Sequence, residues 1–199
     1  MDADQVATLR ALLSPTGWIE RTEAFARMLR STRSPGGLLL VGTPEQEPWH
    51  LTAHLDEESR YAGIPELTPT LIRWSPPATA PEHLRVGMDR LEAARRGETV
   101  FVVTPETAPV PLLERVNDAR KTGATLLALN QGDPELEGLV HESLIVPEQT
   151  DSYVSFSAIQ HLISAAAGER DTPGRGAPAA RGLRARLARL LDAVSGPVG

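Results

Sequence analysis

Five short apolar runs punctuate the chain, at 38–41, 70–74, 99–103, 125–129 and 143–146. Each is too short for a buried helix and is flanked by Gly, Pro or polar residues, which is the pattern of a strand covered on both faces. Between them apolar residues recur at helical spacing over about 46–61, 82–96, 110–122 and, more briefly, 134–140. Crossovers of this length exclude hairpins, so the strands are expected to run parallel with helices packed on either side. The predicted architecture is α/β, a three-layer αβα sandwich around a doubly wound, five-stranded parallel sheet.

Two amphipathic stretches precede the first strand, at 3–13 and 18–33, divided by the helix-breaking Ser14-Pro15-Thr16-Gly17. A further helix is predicted over 153–167. Residues 169–180 are Gly, Pro and charge without apolar period, so the domain is expected to span 1–168 and to be followed by a flexible linker. Beyond it Leu183, Leu187, Leu190, Leu191 and Val194 fall on one helical stripe amid arginines, predicting an amphipathic helix over 181–196.

Composition narrows the function classes. The 199 residues hold 41% hydrophobic positions, enough for one sizeable core, and no cysteine, which removes disulfides, thiolate metal sites and cysteine nucleophiles. No apolar stretch is long enough to span a membrane, and the first ten residues lack the order of a secretory signal, so a cytoplasmic protein is expected. The net charge of -6 conceals an asymmetry: six arginines against two aspartates lie within 170–199, leaving the rest of the chain strongly acidic. An acidic body argues against nucleic-acid binding, which needs clustered Lys and Arg. The basic terminal segment points instead to the acidic body itself or to a protein partner.

The second half carries a recognisable order. A strand at 100–104 is followed by a helix at 111–121, then Gly123-Ala124, then Asp133-Pro134-Glu135-Leu136, then Leu144-Ile145-Val146-Pro147. Upstream, 22–29 leads into Gly36-Gly37-Leu38-Leu39-Leu40-Val41-Gly42, and 152–168 closes the unit. This succession resembles the sugar isomerase (SIS) domain family over residues 18–168. A doubly wound domain of another family is the alternative. The resemblance implies a phosphosugar site at the carboxyl ends of the first and third strands. It also implies a homodimer formed through the N-terminal helices and the helix after the first strand.

The loops that carry the family's chemistry depart from its pattern. The usual Gly-x-Gly-x-Ser is here Gly42-Thr43-Pro44-Glu45-Gln46, and the usual Ser-x-Ser-Gly-x-Thr is Thr104-Pro105-Glu106-Thr107-Ala108. Gly42, Thr43, Thr104, Glu106 and Thr107 are the candidate ligand-binding residues. Glu45, Glu47, Glu106, Asp133 and Glu135 all fall at this edge, where they either cap helices or repel a phosphate. In several SIS isomerases a His or Glu on the last helix moves a proton between sugar carbons, which makes His161 the candidate catalytic residue; a helix-facing structural histidine is the alternative.

Glu47, His50, His54 and Glu57 or Glu58 share one helical face, a pattern that suits metal ligation or, equally, a solvated polar surface. With no HExxH arrangement, no metal and no cofactor are expected. The functional expectation is a non-catalytic, dimeric, SIS-like binding or regulatory module recruiting a partner through 181–196. The alternative is a divergent aldose-ketose sugar-phosphate isomerase, or a phosphosugar-binding protein, using Thr104, Thr107 and His161.

Overall fold

The computed structural model describes residues 17–146 and 155–169. The expected helix at 3–13, the linker at 169–180 beyond its first residue and the helix at 181–196 lie outside them.

All five predicted strands form. They are β1 (Leu38–Val41), β2 (Pro69–Leu71), β3 (Thr99–Val103), β4 (Thr125–Asn130) and β5 (Glu142–Ile145), paired in parallel in the order β2-β1-β3-β4-β5. The register sets Leu38 beside Pro69 on one side and Thr99 on the other, and continues with Thr99 beside Thr125 and Leu127 beside Glu142. Because strand side chains alternate between faces, the apolar runs feed two separate cores. Leu38, Leu40, Phe101, Val103, Leu127 and Leu129 point to one, and Leu39, Val41, Val100, Val102, Leu126 and Ala128 to the other.

Three helices cover the first face: α1 (Trp18–Leu29), α2 (Trp49–Ala62) and, at the end of the domain, a helix over Phe156–Ala167. Phe25 and Leu29, Leu51 and Leu55, and Ile159, Leu162 and Ile163 are their buried contributions. The opposite face is covered by a single turn, α3 (Asp89–Glu92), then α4 (Val110–Lys121) and a second turn, α5 (Pro134–Glu137). Leu91, Leu112, Val116, Ala119 and Leu136 fill that core. The helix over Phe156–Ala167 is thus α6. The three-layer αβα sandwich read from the apolar periodicity is the fold observed.

The prediction for 82–96 needs correction. A continuous helix does not form there; a 3-10 turn at Glu82–Leu84 and the short α3 take its place. The intervening backbone is drawn into the sheet margin instead, where Arg73 bridges Gly87 in parallel and its N–H donates to the Val86 carbonyl at 2.9 Å. An unpaired sheet edge and a glycine in mid-helix together outweigh the apolar period. Boundaries shift elsewhere by smaller amounts. The helix expected over 18–33 stops at Leu29, where the Thr32 hydroxyl turns back to donate to the Leu29 carbonyl and pairs with the Thr99 hydroxyl. Helix α6 starts at Phe156, with Ser155 as its N-cap accepting from the Ala158 N–H at 3.1 Å.

Candidate functional site

Strand order reverses between β1 and β3, because β2 lies on one side of β1 and β3 to β5 on the other. In an open parallel sheet the crevice outside the carboxyl ends at such a reversal is where ligands sit. Here it is bounded by the loops after β1, β3 and β4. Gln46, Pro105, Glu106, Thr107, Gln131, Gly132 and Asp133 line a cleft of about 530 Å³. Of the candidate ligand-binding residues, Glu106 and Thr107 are in its wall; Gly42, Thr43 and Thr104 do not line it.

The loop after β1 is held shut by its own backbone. A Cβ on Gly42 would stand 2.0 Å from the Gln46 carbonyl oxygen, so the chain can fold back only where that residue has no side chain. Thr43 is buried, and its hydroxyl oxygen accepts from the Gln46 N–H at 3.2 Å. The loop after β3 uses the same device. The fully buried Thr104 donates through its hydroxyl to the Glu106 carbonyl at 2.7 Å and accepts from the Glu106 N–H at 3.1 Å. Both threonine hydroxyls close turns.

Backbone donors are scarce in the second loop. Prolines at 105, 109 and 111 have no N–H. The Glu106 N–H is bound to Thr104, and the Ala108 N–H donates to Asp133 at 2.7 Å. Over 105–111 this leaves the Thr107 and Val110 N–H groups without a partner among the described residues, and the next N–H, of Leu112, donates to the Pro109 carbonyl at 2.8 Å. Among the described residues an anion would meet two unbonded N–H groups there, few for a phosphate cradle.

The acidic residues at this edge divide by role. Asp133, 4% exposed, caps α5 by accepting from Glu135 and Leu136 and also clamps the β3 loop through Ala108. Its own N–H and that of Gly132 are received by the buried Asn130 side-chain oxygen. Glu47 faces away from the cleft: it accepts from Arg73 Nε at 3.0 Å, from the Trp49 indole at 3.0 Å and from the Trp74 N–H at 3.2 Å. Arg73 in turn lies over the Trp49 ring, 4.6 Å from its centroid. Glu47 therefore carries a compensated charge, and the expectation that it opposes a bound phosphate is revised. Glu106 stays exposed, with no hydrogen bond to its carboxylate among the described residues.

A second cluster lies on the outer surface of the α2–α6 pair. His50 and His54 stand one turn apart on α2, beside the buried Leu51 and Leu55, and His161 stands on α6 beside the buried Leu162. His50 Nε2 is 3.0 Å from His161 Nε2 and 3.2 Å from His54 Nε2. The ring centroids form a nearly equilateral triangle with sides of 4.5, 4.6 and 4.7 Å. His54 Nδ1 lies 3.8 Å from a Glu57 carboxylate oxygen, and His161 Nδ1 is buried with no hydrogen-bond partner among the described residues. Burial first, and the neighbouring imidazoles second, push both His54 and His161 below the ordinary histidine pKa, which favours their neutral forms. Among the described residues this trio is the group with metal-ligand spacing.

Periodicity had placed His50 and His54 on one face of a helix, and a separate argument had singled out His161. Nothing in the sequence brings the two together, because the contact depends on how α6 lies against α2. The Glu47–Arg73 pair and the Asp133–Ala108 clamp were missed for the same reason; both join loops from different strands. Only the Asp-Pro pair at 133–134, an N-cap followed by proline at the first helical position, announced the local part of Asp133's role.

No family model matches the chain, and no curated protein matches its sequence. Solved structures do resemble it. A protein of Silicibacter pomeroyi DSS-3 assigned as a phosphosugar isomerase superposes with a TM-score of 0.55 at 18% identity, over 94% of this chain and 51% of the other. A Salmonella typhimurium LT2 protein assigned to sugar binding gives 0.49 at 14% identity, over 90% and 55%. The Vibrio vulnificus NanR protein complexed with ManNAc-6P gives 0.43 at 12% identity, over 98% and 64%. This chain spans about half to two-thirds of the length of these structures. The strand order, the parallel pairing and the first of these superpositions together establish a three-layer αβα fold shared with the Silicibacter pomeroyi protein.

Proposed function

We propose that the chain is a non-catalytic SIS-like module that binds a carbohydrate derivative in the cleft at the β1–β3 reversal. The observation that carries this reading is the state of the β3 loop. Its Thr104 hydroxyl and its Glu106 and Ala108 N–H groups are bonded within the protein, while the Glu106 carboxylate stands exposed in the cleft wall. Gln46, Glu106, Thr107 and Gln131 offer amide, carboxylate and hydroxyl groups suited to sugar hydroxyls or an amino group. A phosphate dianion gains little from them and is repelled by Glu106. The module acts as a homodimer through α2, whose exposed Trp49 and Tyr61 supply apolar contact area, and the Arg-rich segment 181–196 recruits an acidic protein partner.

A melting-temperature screen tests it. Neutral and amino sugars are expected to raise the transition, since a ligand at about 100 times its dissociation constant adds roughly 2.7 kcal/mol, whereas sugar phosphates leave it unchanged. Size-exclusion chromatography with light scattering tests the dimer, and a pull-down with and without residues 170–199 tests the tail. Stabilisation confined to sugar phosphates would overturn the ligand assignment.

The second reading is a sugar-phosphate isomerase in which Thr104 and Thr107 hold phosphate and His161 moves the proton. The resemblance to a phosphosugar isomerase fold and the neutral imidazole on α6 favour it. It requires Thr104 to release Glu106. Aldose-ketose turnover that disappears in His161→Ala would establish it in place of the first.

A further inference from the structure

We propose that His50, His54 and His161 form a binding site for a divalent transition metal of the zinc class, coordinated through their three Nε2 atoms with a fourth position left for water or another exchangeable ligand. The site is independent of the sugar cleft, whose walls contain none of these residues.

Hydrogen bonding alone does not account for the geometry. An imidazole nitrogen presents one in-plane group, either a hydrogen or a lone pair. His50 Nε2 nevertheless has two nitrogen neighbours at hydrogen-bond distance, 3.0 Å to His161 and 3.2 Å to His54. As a donor it can serve one of them and leaves the other contact lone pair to lone pair; as an acceptor it has one lone pair for two donors. A cation between the three nitrogens removes the conflict, since each ring then directs one lone pair inward.

The dimensions agree with a metal. Zinc–imidazole bonds of about 2.0 to 2.1 Å in a tetrahedron put ligand nitrogens roughly 3.3 Å apart. The two measured edges need to open by only a few tenths of an ångström. The ligand atoms all lie within 4.8 Å of one another, and the rings meet at interplanar angles of 88°, 88° and 66°, as three blades around a common point. Three imidazoles occupy one side of that point. His50, the most exposed of the three, stands at the solvent margin, which leaves the fourth direction open.

The scaffold is rigid where the site needs it. His50 and His54 are fixed by one turn of α2, and α2 is pinned to α6 by Leu51, Leu55, Ile159, Leu162 and Ile163 in one core. A Glu57 carboxylate oxygen lies 3.8 Å from His54 Nδ1, a small side-chain movement away from the hydrogen bond by which a carboxylate orients a ligating ring. The only polar contact of the His161 ring among the described residues is through Nε2. Imidazole donors with an open position suit Zn(II) and its neighbours Co(II), Ni(II) and Cu(II), and not the oxygen-seeking Mg(II) or Ca(II).

The test uses the full chain carrying no histidine tag, stripped with chelator and titrated with Zn(II) or Co(II). One equivalent per chain is expected, with visible Co(II) absorption typical of four-coordinate nitrogen ligation. His161→Gln is expected to weaken binding by about 100-fold or more, beyond the 10- to 100-fold that loss of a supporting group brings. His83→Gln, outside the cluster, should leave it unchanged. Circular dichroism of the metal-free variants, matching that of the parent, establishes that loss of binding is not loss of fold. Failure to bind one equivalent, or equal binding by the parent and His161→Gln, which would mean adventitious surface ligation only, overturns the proposal.

Discussion

His161 Nε2 lies 3.0 Å from His50 Nε2, although 111 residues separate them in the chain. The contact is made because α2 and α6 share the core on one side of the sheet, so that the polar positions next to their buried stripes meet at the rim. A histidine that looked like a lone proton carrier on a terminal helix is one corner of a three-imidazole cluster.

That cluster gives the metal-free protein a pH-dependent stability of known sign. The folded pKa values of His54 and His161 are lowered from an ordinary 6.5, chiefly by burial and next by the neighbouring histidines. The unfolded chain therefore binds more protons than the folded one near and below that value. The stabilising contribution is present above the unfolded pKa and is lost as pH falls through the lowered folded values. The melting temperature of chelator-treated protein is expected to fall between about pH 7 and about pH 5. The fall should be shallower in a His54→Gln, His161→Gln double variant; equal slopes would remove these two rings as the cause.

Asp133 holds three N–H groups from two segments with one carboxylate. Its replacement by Ala strands the Ala108, Glu135 and Leu136 N–H groups, of which the first and last are buried. An N-cap loss of about 1 kcal/mol and a buried unsatisfied donor of about 1 to 3 kcal/mol predict a destabilisation of roughly 2 to 4 kcal/mol by urea unfolding. Asp133→Asn keeps one acceptor oxygen and should recover part of that. A cost below about 0.5 kcal/mol for Asp133→Ala would mean that the clamp is not formed in solution.

Glu47 and Arg73 form a largely buried pair that also holds Trp49 and Trp74. Removing the carboxylate alone, in Glu47→Ala, leaves the guanidinium uncompensated and is expected to cost about 3 kcal/mol. The double variant with Arg73→Met should be more stable than Glu47→Ala by at least about 1 kcal/mol, because the orphaned charge is then gone. Urea denaturation of the four proteins in the cycle measures the coupling.

The division between what was legible in the sequence and what was not follows from the range of the interactions. Strand runs such as Leu38-Leu39-Leu40-Val41 are readable because burial on both faces leaves no polar position in them, and the order of elements then follows from crossover length. The segment 82–96 failed because its apolar period competes with a sheet margin that the sequence does not mark, and Arg73 pairs with Gly87 there. At the site, local hydroxyl turns such as Thr104 with Glu106 look from sequence alone like free ligand-binding threonines. The sequence supplies the group; only the fold shows that Glu106 has already taken it. Glu47 presents the opposite case, a carboxylate that seems free until Arg73, 26 residues later, is brought beside it.

Glu106 offers the most direct measure of why the cleft disfavours phosphate. Its carboxylate is exposed in the wall, so a phosphate bound near the Thr107 and Val110 N–H groups would lie within several ångströms of it. At roughly 6 Å in water-like surroundings, like unit charges repel by about 0.7 kcal/mol, and a phosphate near its second ionisation nearly doubles that. Glu106→Gln removes the charge at constant shape. Sugar-phosphate affinity is therefore expected to rise about three- to tenfold in the variant while neutral sugars change by less than about twofold. Because the effect is Coulombic at an exposed site, the gain should shrink as salt is raised from low ionic strength to about 0.5 M, where the screening length falls below the charge separation. A gain that is independent of salt, or equal for neutral and phosphorylated sugars, would place the effect of Glu106 in shape or hydrogen bonding and not in its charge.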